Sequence, residues 1–277
     1  MIKLEDKIRE LTIEEKLKVD RDIQELFSFC LEQKIKNTIF NKRLANLQVK
    51  VSNNMIPGKK GEVDHRTQTI FITSSDLIDD FKRKLVLYHE LGHLLFDYDL
   101  LSSDEKDSIL NLITKSNKGA NPYLVITGFR MIEEYLNEKF GVWATYGLLN
   151  KDIVVHKNLK PKFGGEFIYD TTFGSIYGIV ETICDDLLDK VYSSVRDILN
   201  DCLNNDFYIG LFSKFDNQDL ISILERLGLI YNMLIENMKN PEYKNPELTD
   251  KALRLLVHSV GKIRVKSNVK VERQVLQ

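Results

Sequence analysis

The sequence predicts an α+β protein: a small sheet, a histidine-bearing helix and a glutamate-bearing helix, then an all-helical C-terminal region. Three observations predict this. Residues 46–73 contain short stretches of period-two alternation broken by turn residues. Residues 85–96, LVLYHELGHLLF, are apolar nearly all round a helical wheel, as in a buried helix. Beyond residue 165, apolar side chains recur at threes and fours over many turns.

Residues 3–35 read as helix. Thr12 and Glu15 form a capping box, so a helix starts near residue 13. Leu17, Ile23, Leu26, Phe27 and Cys30 supply its apolar face, and the interleaved Lys and Glu residues a solvated one. LQVKVS alternates as a half-buried strand, and Pro57-Gly58-Lys59-Lys60-Gly61 marks a turn. EVDHRTQTIFIT reads as a strand pair over 62–73, with His65 a surface residue at its turn. Ser74, Ser75 and Asp76 are N-cap candidates for the next helix, and Asp76, Asp79 and Asp80 suit its N-terminal dipole. Ile78, Leu85, Val86 and Phe96 fall on the same face of that helix as His89 and His93.

After Asp99 a short helix is expected, capped by Ser102 or Ser103 and ending near Lys115. SNKGANP then reads as a loop that either flanks a cleft or simply connects. Over 131–144, MIEEYLNEKFGVWA, the residues Ile132, Leu136, Phe140 and Trp143 recur at helical spacing. The locally basic KDIVVHKNLKPKFGG, residues 151–165, marks a boundary, with His156 on the surface. Ile176 to Cys202 and Leu220 to Met238 carry long helical stripes, and Asn245-Pro246 to Gly261 frames a further helix. The organisation expected is a domain over 1–163, a helical gating or substrate-docking region over 164–262, and a tail over 263–277.

The chemistry sits in His89-Glu90-Leu91-Gly92-His93. Residues four apart share a helix face, so His89 and His93 can offer two imidazole nitrogens to one zinc ion. Glu90 lies about 100° further round, where its carboxylate can take a proton from a metal-activated water without itself binding the metal. Such a site needs a third ligand. A metzincin site would need glycine at position 96 and histidine at 99, where this chain has Phe96 and Asp99. The acidic pair at 133–134 offers the alternative. Glu134 has Glu138 at plus four and Phe140 at plus six; Glu133 has Asn137 and Lys139. Glu134 is favoured as the ligand, with Glu138 orienting a ligand histidine, because Glu138 and Phe140 stand as in the E-x-x-x-D/N-x-F arrangement of gluzincin ligand helices, which this stretch resembles. Glu133 is the competing position, on a solvated face if it is not the ligand.

HELGHLLF and EEYLNEKFG together resemble the ImmA/IrrE family of intracellular zinc metallopeptidases, over about residues 40–150. The resemblance implies a compact zincin-like domain with His89, His93 and Glu134 as zinc ligands and Glu90 as the base. It also implies a small sheet before the HExxH helix, its last strand bordering a peptide cleft. Characterised members of that family cut helix-turn-helix repressors, so a protein or peptide substrate of that kind is implied. Asp97 stands where many members carry a histidine, and Tyr135-Leu136 where many have an alanine.

Composition bounds the rest. The chain has 277 residues, 43% hydrophobic and 29% charged, enough for a substantial core. A net charge of −2 gives no sign of direct nucleic-acid binding. Cys30, Cys184 and Cys202 are scattered, as in a reducing compartment. Neither a signal peptide nor a membrane-length apolar run is visible, so a cytoplasmic location without membrane contact is expected. The function expected is endopeptidase activity with one Zn2+ per chain. The alternative is a non-catalytic regulatory module whose zinc is structural or sensory; a third reading is an effector that cuts a host protein. Oligomeric state is not legible.

Overall fold

A computed structural model describes residues 8–33, 35, 44–53, 55, 60–116, 121–148, 195–204 and 207–213, with scattered helical residues between 218 and 228. It is a mixed α+β structure with one four-stranded sheet, ordered β1-β2-β4-β3. The strands are β1 (Ile8–Glu10), β2 (Gln48–Ser52), β3 (Gly61–Asp64) and β4 (Thr69–Ile72). β1 is antiparallel to β2, β2 parallel to β4, and β3 antiparallel to β4. β3 is therefore an edge, and β4, the last strand before the HExxH helix, is interior. Val51 pairs with Ile72, and both are fully buried with Ile70, as period-two alternation requires. The β3–β4 turn is held by Asp64, whose Oδ1 accepts from the Arg66 N–H at 3.0 Å and whose Oδ2 accepts from the Thr67 hydroxyl at 2.8 Å. Gln68 closes it with φ 53°.

The first helix, α1, spans Ile13–Glu32. Its capping box is present: Thr12 Oγ1 accepts from the Glu15 N–H, and Glu15 Oε2 accepts from the Thr12 N–H at 2.8 Å. The residues just before it form β1 rather than a first helical turn, because Arg9 and its neighbours pair with β2. The buried face runs through Val19, Asp22, Leu26, Phe29 and Cys30, while Leu17, expected in the core, is 65% exposed.

Two helices follow the sheet where the sequence suggested one. Thr73 caps α2 (Ser74–Ile78), and Asp79, extended at ψ 118°, ends it and caps α3 (Asp80–Phe96). Ile78 consequently leaves the His89 face and is 81% exposed. Ser102 caps α4 (Ser103–Ser116), accepting from the Glu105 N–H at 3.3 Å, and a 3-10 turn at Tyr98–Leu100 precedes it. Then come α5 (Pro122–Leu148), α6 (Val195–Asn204) and α7 (Phe207–Ser213).

The core gathers around α3, which packs against α5 and against the β3–β4 hairpin. Leu87, Tyr88, Leu91, Leu94 and Leu95 are buried, as an all-round apolar helix demands. Its N-terminal half is joined to α1 by a buried ion network: Asp22 Oδ2 meets Arg83 Nε at 2.7 Å, and Oδ1 meets Lys84 Nζ at 2.7 Å. Phe129 of α5 lies against Tyr98, Tyr208 and Phe212 with ring centroids 5.0–5.3 Å apart, so α7 shares the main core. Among the described residues, no helix is long and apolar enough to cross a membrane. The Pro57-Gly58 turn, most of the SNKGANP loop, His156, the 163/164 boundary, the helix after Pro246 and the tail lie outside the described residues, as does much of the two long C-terminal stripes.

Candidate metal centre

His89 and His93 stand one turn apart on α3 with their Nε2 atoms 3.2 Å from each other. Across from them on α5, Glu134 places one carboxylate oxygen 3.5 Å from His89 Nε2 and the other 3.5 Å from His93 Nε2. These three are the residues whose donor atoms converge within 4.8 Å among those described. The other nitrogen of each ring is occupied. His89 Nδ1 lies 3.0 Å from Glu138 Oε2, and His93 Nδ1 lies 3.0 Å from both oxygens of Asp97.

The donor chemistry tests whether a metal fits. A carboxylate only accepts, so Glu138 assigns the proton of a neutral His89 ring to Nδ1 and leaves a lone pair on Nε2; Asp97 favours the same tautomer at His93, whose Nδ1 also lies 2.8 Å from Asn137 Nδ2. Two lone pairs facing each other at 3.2 Å repel unless a cation or an extra proton lies between them. Two nitrogens each about 2.0–2.1 Å from a tetrahedral zinc would lie about 3.3 Å apart, close to the separation found. The carboxylates around the pair favour positive charge there, whether carried by protons or by a metal ion. Burial would lower the pKa of His89, but hydrogen bonds to Glu134 and Glu138 and the charge of Glu90 raise it to about 10. His93 is likewise held well above the ordinary imidazole range, burial being outweighed by Glu134 and Asp97. A dication can replace those protons, and two imidazoles with one carboxylate suit zinc.

Close helix packing brings the donors together. Glu134, Asn137, Glu138 and Gly141 lie at i, i+3, i+4 and i+7 on one face of α5. Gly92 meets Asn137 while Gly141 meets His89 and Leu85, so the two helices run antiparallel. A Cβ on Gly141 would sit 2.9 Å from the His89 backbone nitrogen, and one on Gly92 would sit 3.1 Å from Asn137 Cα. Side chains at either position would force the helices apart, and the glutamate with them.

Glu90 follows His89 but turns towards the sheet. It is buried against Gly61 of β3, where a Cβ would fall 2.6 Å from Glu90 Cγ. The edge strand and the HExxH carboxylate are thus in direct contact.

Three residues near the site were not assigned to it from sequence. Asp97, noted only as a departure from the family pattern, orients His93; its i+4 spacing from that histidine was the available signal. Asn137 supports the same carboxylate, with Nδ2 3.1 Å from Asp97 Oδ1. His65, expected at the surface of the turn, is at the turn but reaches Asp97 Oδ2 with its Nε2 at 3.0 Å, its side chain only 29% exposed. Glu133 is not on a solvated face either. It is 5% exposed and accepts from the Tyr98 N–H and, at 2.6 Å, from the Tyr208 hydroxyl. Burial first, and then the nearby Asp97 charge, push its carboxyl above the usual range. Of the acidic pair, Glu134 faces the Nε2 atoms and Glu133 faces the core.

Comparison with protein-family models, curated proteins and solved structures gives no match for this chain.

Proposed function

We propose that the chain is a zinc-dependent endopeptidase with a zincin-like catalytic domain, acting on an intracellular protein. The observation that carries this reading is the pair of inward-facing Nε2 atoms of His89 and His93, closed by the carboxylate of Glu134. His89, His93 and Glu134 are the ligands, and Glu138 and Asp97 orient the two rings. Bound there, zinc supplies Lewis acidity that lowers the pKa of a water and polarises a carbonyl. Glu90 takes the proton from the attacking water and returns it to the departing amine. Its contact with Gly61 sets β3 beside the reacting groups, and an extended peptide can add as a strand to that edge. The resemblance to ImmA/IrrE peptidases makes a helix-turn-helix repressor the substrate to try first. Residues 164–262 retain their proposed docking or gating role.

The competing reading, a structural or sensory zinc, needs a fourth protein ligand. Among the described residues, Glu138 and Asp97 are engaged with Nδ1 atoms instead, and the Glu134 side chain is 52% exposed. The deciding experiment pairs elemental analysis with a comparison of protein termini in cells expressing wild type or Glu90→Gln. One zinc per chain in both proteins, with new termini only in wild type, is expected. Zinc binding without termini that depend on Glu90 would favour the non-catalytic reading, and absence of zinc uptake would remove both.

A further inference from the structure

We infer that His65 is a positioning residue for the metal centre, acting on His93 through Asp97; this rests on the zinc reading proposed above. The Asp97 carboxylate is nearly buried and gathers three side chains from three elements. His93 Nδ1 of α3 lies 3.0 Å from both oxygens, Asn137 Nδ2 of α5 lies 3.1 Å from Oδ1, and His65 Nε2 of the β3–β4 turn lies 3.0 Å from Oδ2. Asp97 follows the last residue of α3 and is itself extended, at ψ 145°, so the helix does not set its direction. Asn137 holds Oδ1 and His65 is the partner from the hairpin that holds Oδ2, so contacts at both oxygens fix the carboxylate in one plane and, with it, the His93 ring beside it. Outer partners of this type govern ligand orientation and basicity.

The hairpin is well suited to supply that donor. Asp64 holds its own turn through the Arg66 N–H and the Thr67 hydroxyl, so His65 projects from a braced backbone. The same hairpin touches α3 a second time, where Gly61 lies against Glu90. One β-hairpin therefore contacts both the base and the support of a ligand, and a displacement of β3 would be felt by both.

The test measures zinc affinity by competition with a chromophoric chelator, in parallel with thermal unfolding of the metal-free protein. His65→Leu should weaken zinc binding about tenfold. His65→Gln, whose amide can still donate to Asp97, should recover most of that loss. In Asp97→Ala, adding His65→Leu should cost nothing further, because His65 acts only through Asp97. The visible spectrum of the Co2+-loaded protein should change with His65→Leu and return with His65→Gln. A merely structural histidine would lower the unfolding temperature while leaving affinity and spectrum unmoved, and that result would overturn the inference. A readout on the wild-type protein guards against variants that fail to fold: NMR should show a slowly exchanging His65 Nε2–H, and a freely exchanging imidazole would also overturn it. Wild type without zinc affinity defeats the zinc reading and this inference together; wild type and His65→Leu binding zinc equally defeats this inference alone.

Discussion

Gly141 of α5 lies against the backbone of His89, so close that a methyl group there would sit 2.9 Å from the His89 nitrogen. That approach lets a carboxylate from one helix reach both imidazoles of another. Gly141→Ala should therefore act on stability and metal affinity together. Overpacking at a helix crossing costs about 1–3 kcal/mol, more than the roughly 1 kcal/mol of helix propensity that alanine contributes over glycine. Urea unfolding of the metal-free protein should show the loss, and chelator competition a weaker zinc site. A stabilised variant with unchanged affinity would mean that the crossing yields easily.

The acidic pair should separate cleanly. Glu134→Ala should weaken zinc binding beyond the roughly 10–100-fold expected for an outer partner such as Glu138. Glu133→Ala should instead destabilise the fold by about 1–3 kcal/mol, by leaving the Tyr98 N–H and Tyr208 hydroxyl without their acceptor. Chelator competition and urea titration on both variants give the two readouts. The opposite pattern would move the ligand to Glu133.

Metal removal should lower the thermal midpoint of wild type, and re-addition of zinc should restore it, because a ligand that binds only the folded chain stabilises it. Neither step should shift His89→Ala/His93→Ala. Differential scanning calorimetry with and without chelator reads this directly; a chelator effect that survives in the double variant would place the metal elsewhere.

Asp22 is fully buried between Arg83 and Lys84, with Tyr88 donating its hydroxyl to the Asp22 carbonyl at 2.9 Å. Asp22→Ala should cost about 3–5 kcal/mol, since it removes the buried carboxylate that both cations share. A loss of under about 1 kcal/mol in urea unfolding would show that Glu25 and Asp80, which also contact these cations, suffice.

Acid should unfasten β1 from α1. The Arg9 guanidinium, bonded to both Glu15 oxygens, holds that carboxyl down to about 2, against burial and with help from Thr12. A depressed folded pKa contributes stability above the ordinary carboxylate range near 4.5 and loses it as pH falls towards about 2. Glu15→Gln should remove that part of the acid sensitivity. An unchanged stability–pH curve over the window would show that the contact is too exposed to matter.

The sequence by itself determined the local features. Thr12 and Glu15 specify a capping box, the period-two run LQVKVS specifies β2, and His89-Glu90-x-x-His93 puts two imidazoles on one face, because these depend on neighbours within a turn or a strand. The preference for Glu134 over Glu133 rested instead on what lies four and six residues on, which resembles a gluzincin ligand helix. Only the tertiary structure decided where β3 stands in the sheet, that His65 and Asn137 meet on Asp97, that Glu133 turns into the core towards Tyr208, and that Asp22 neutralises Arg83 and Lys84. Each of these is a polar contact between elements far apart in the chain. Its partner is chosen by helix crossing and strand order, which no local periodicity encodes. The crossing in turn rests on Gly92 and Gly141, whose missing side chains leave no hydrophobic pattern to read but allow α3 and α5 to approach closely enough for three donors to converge.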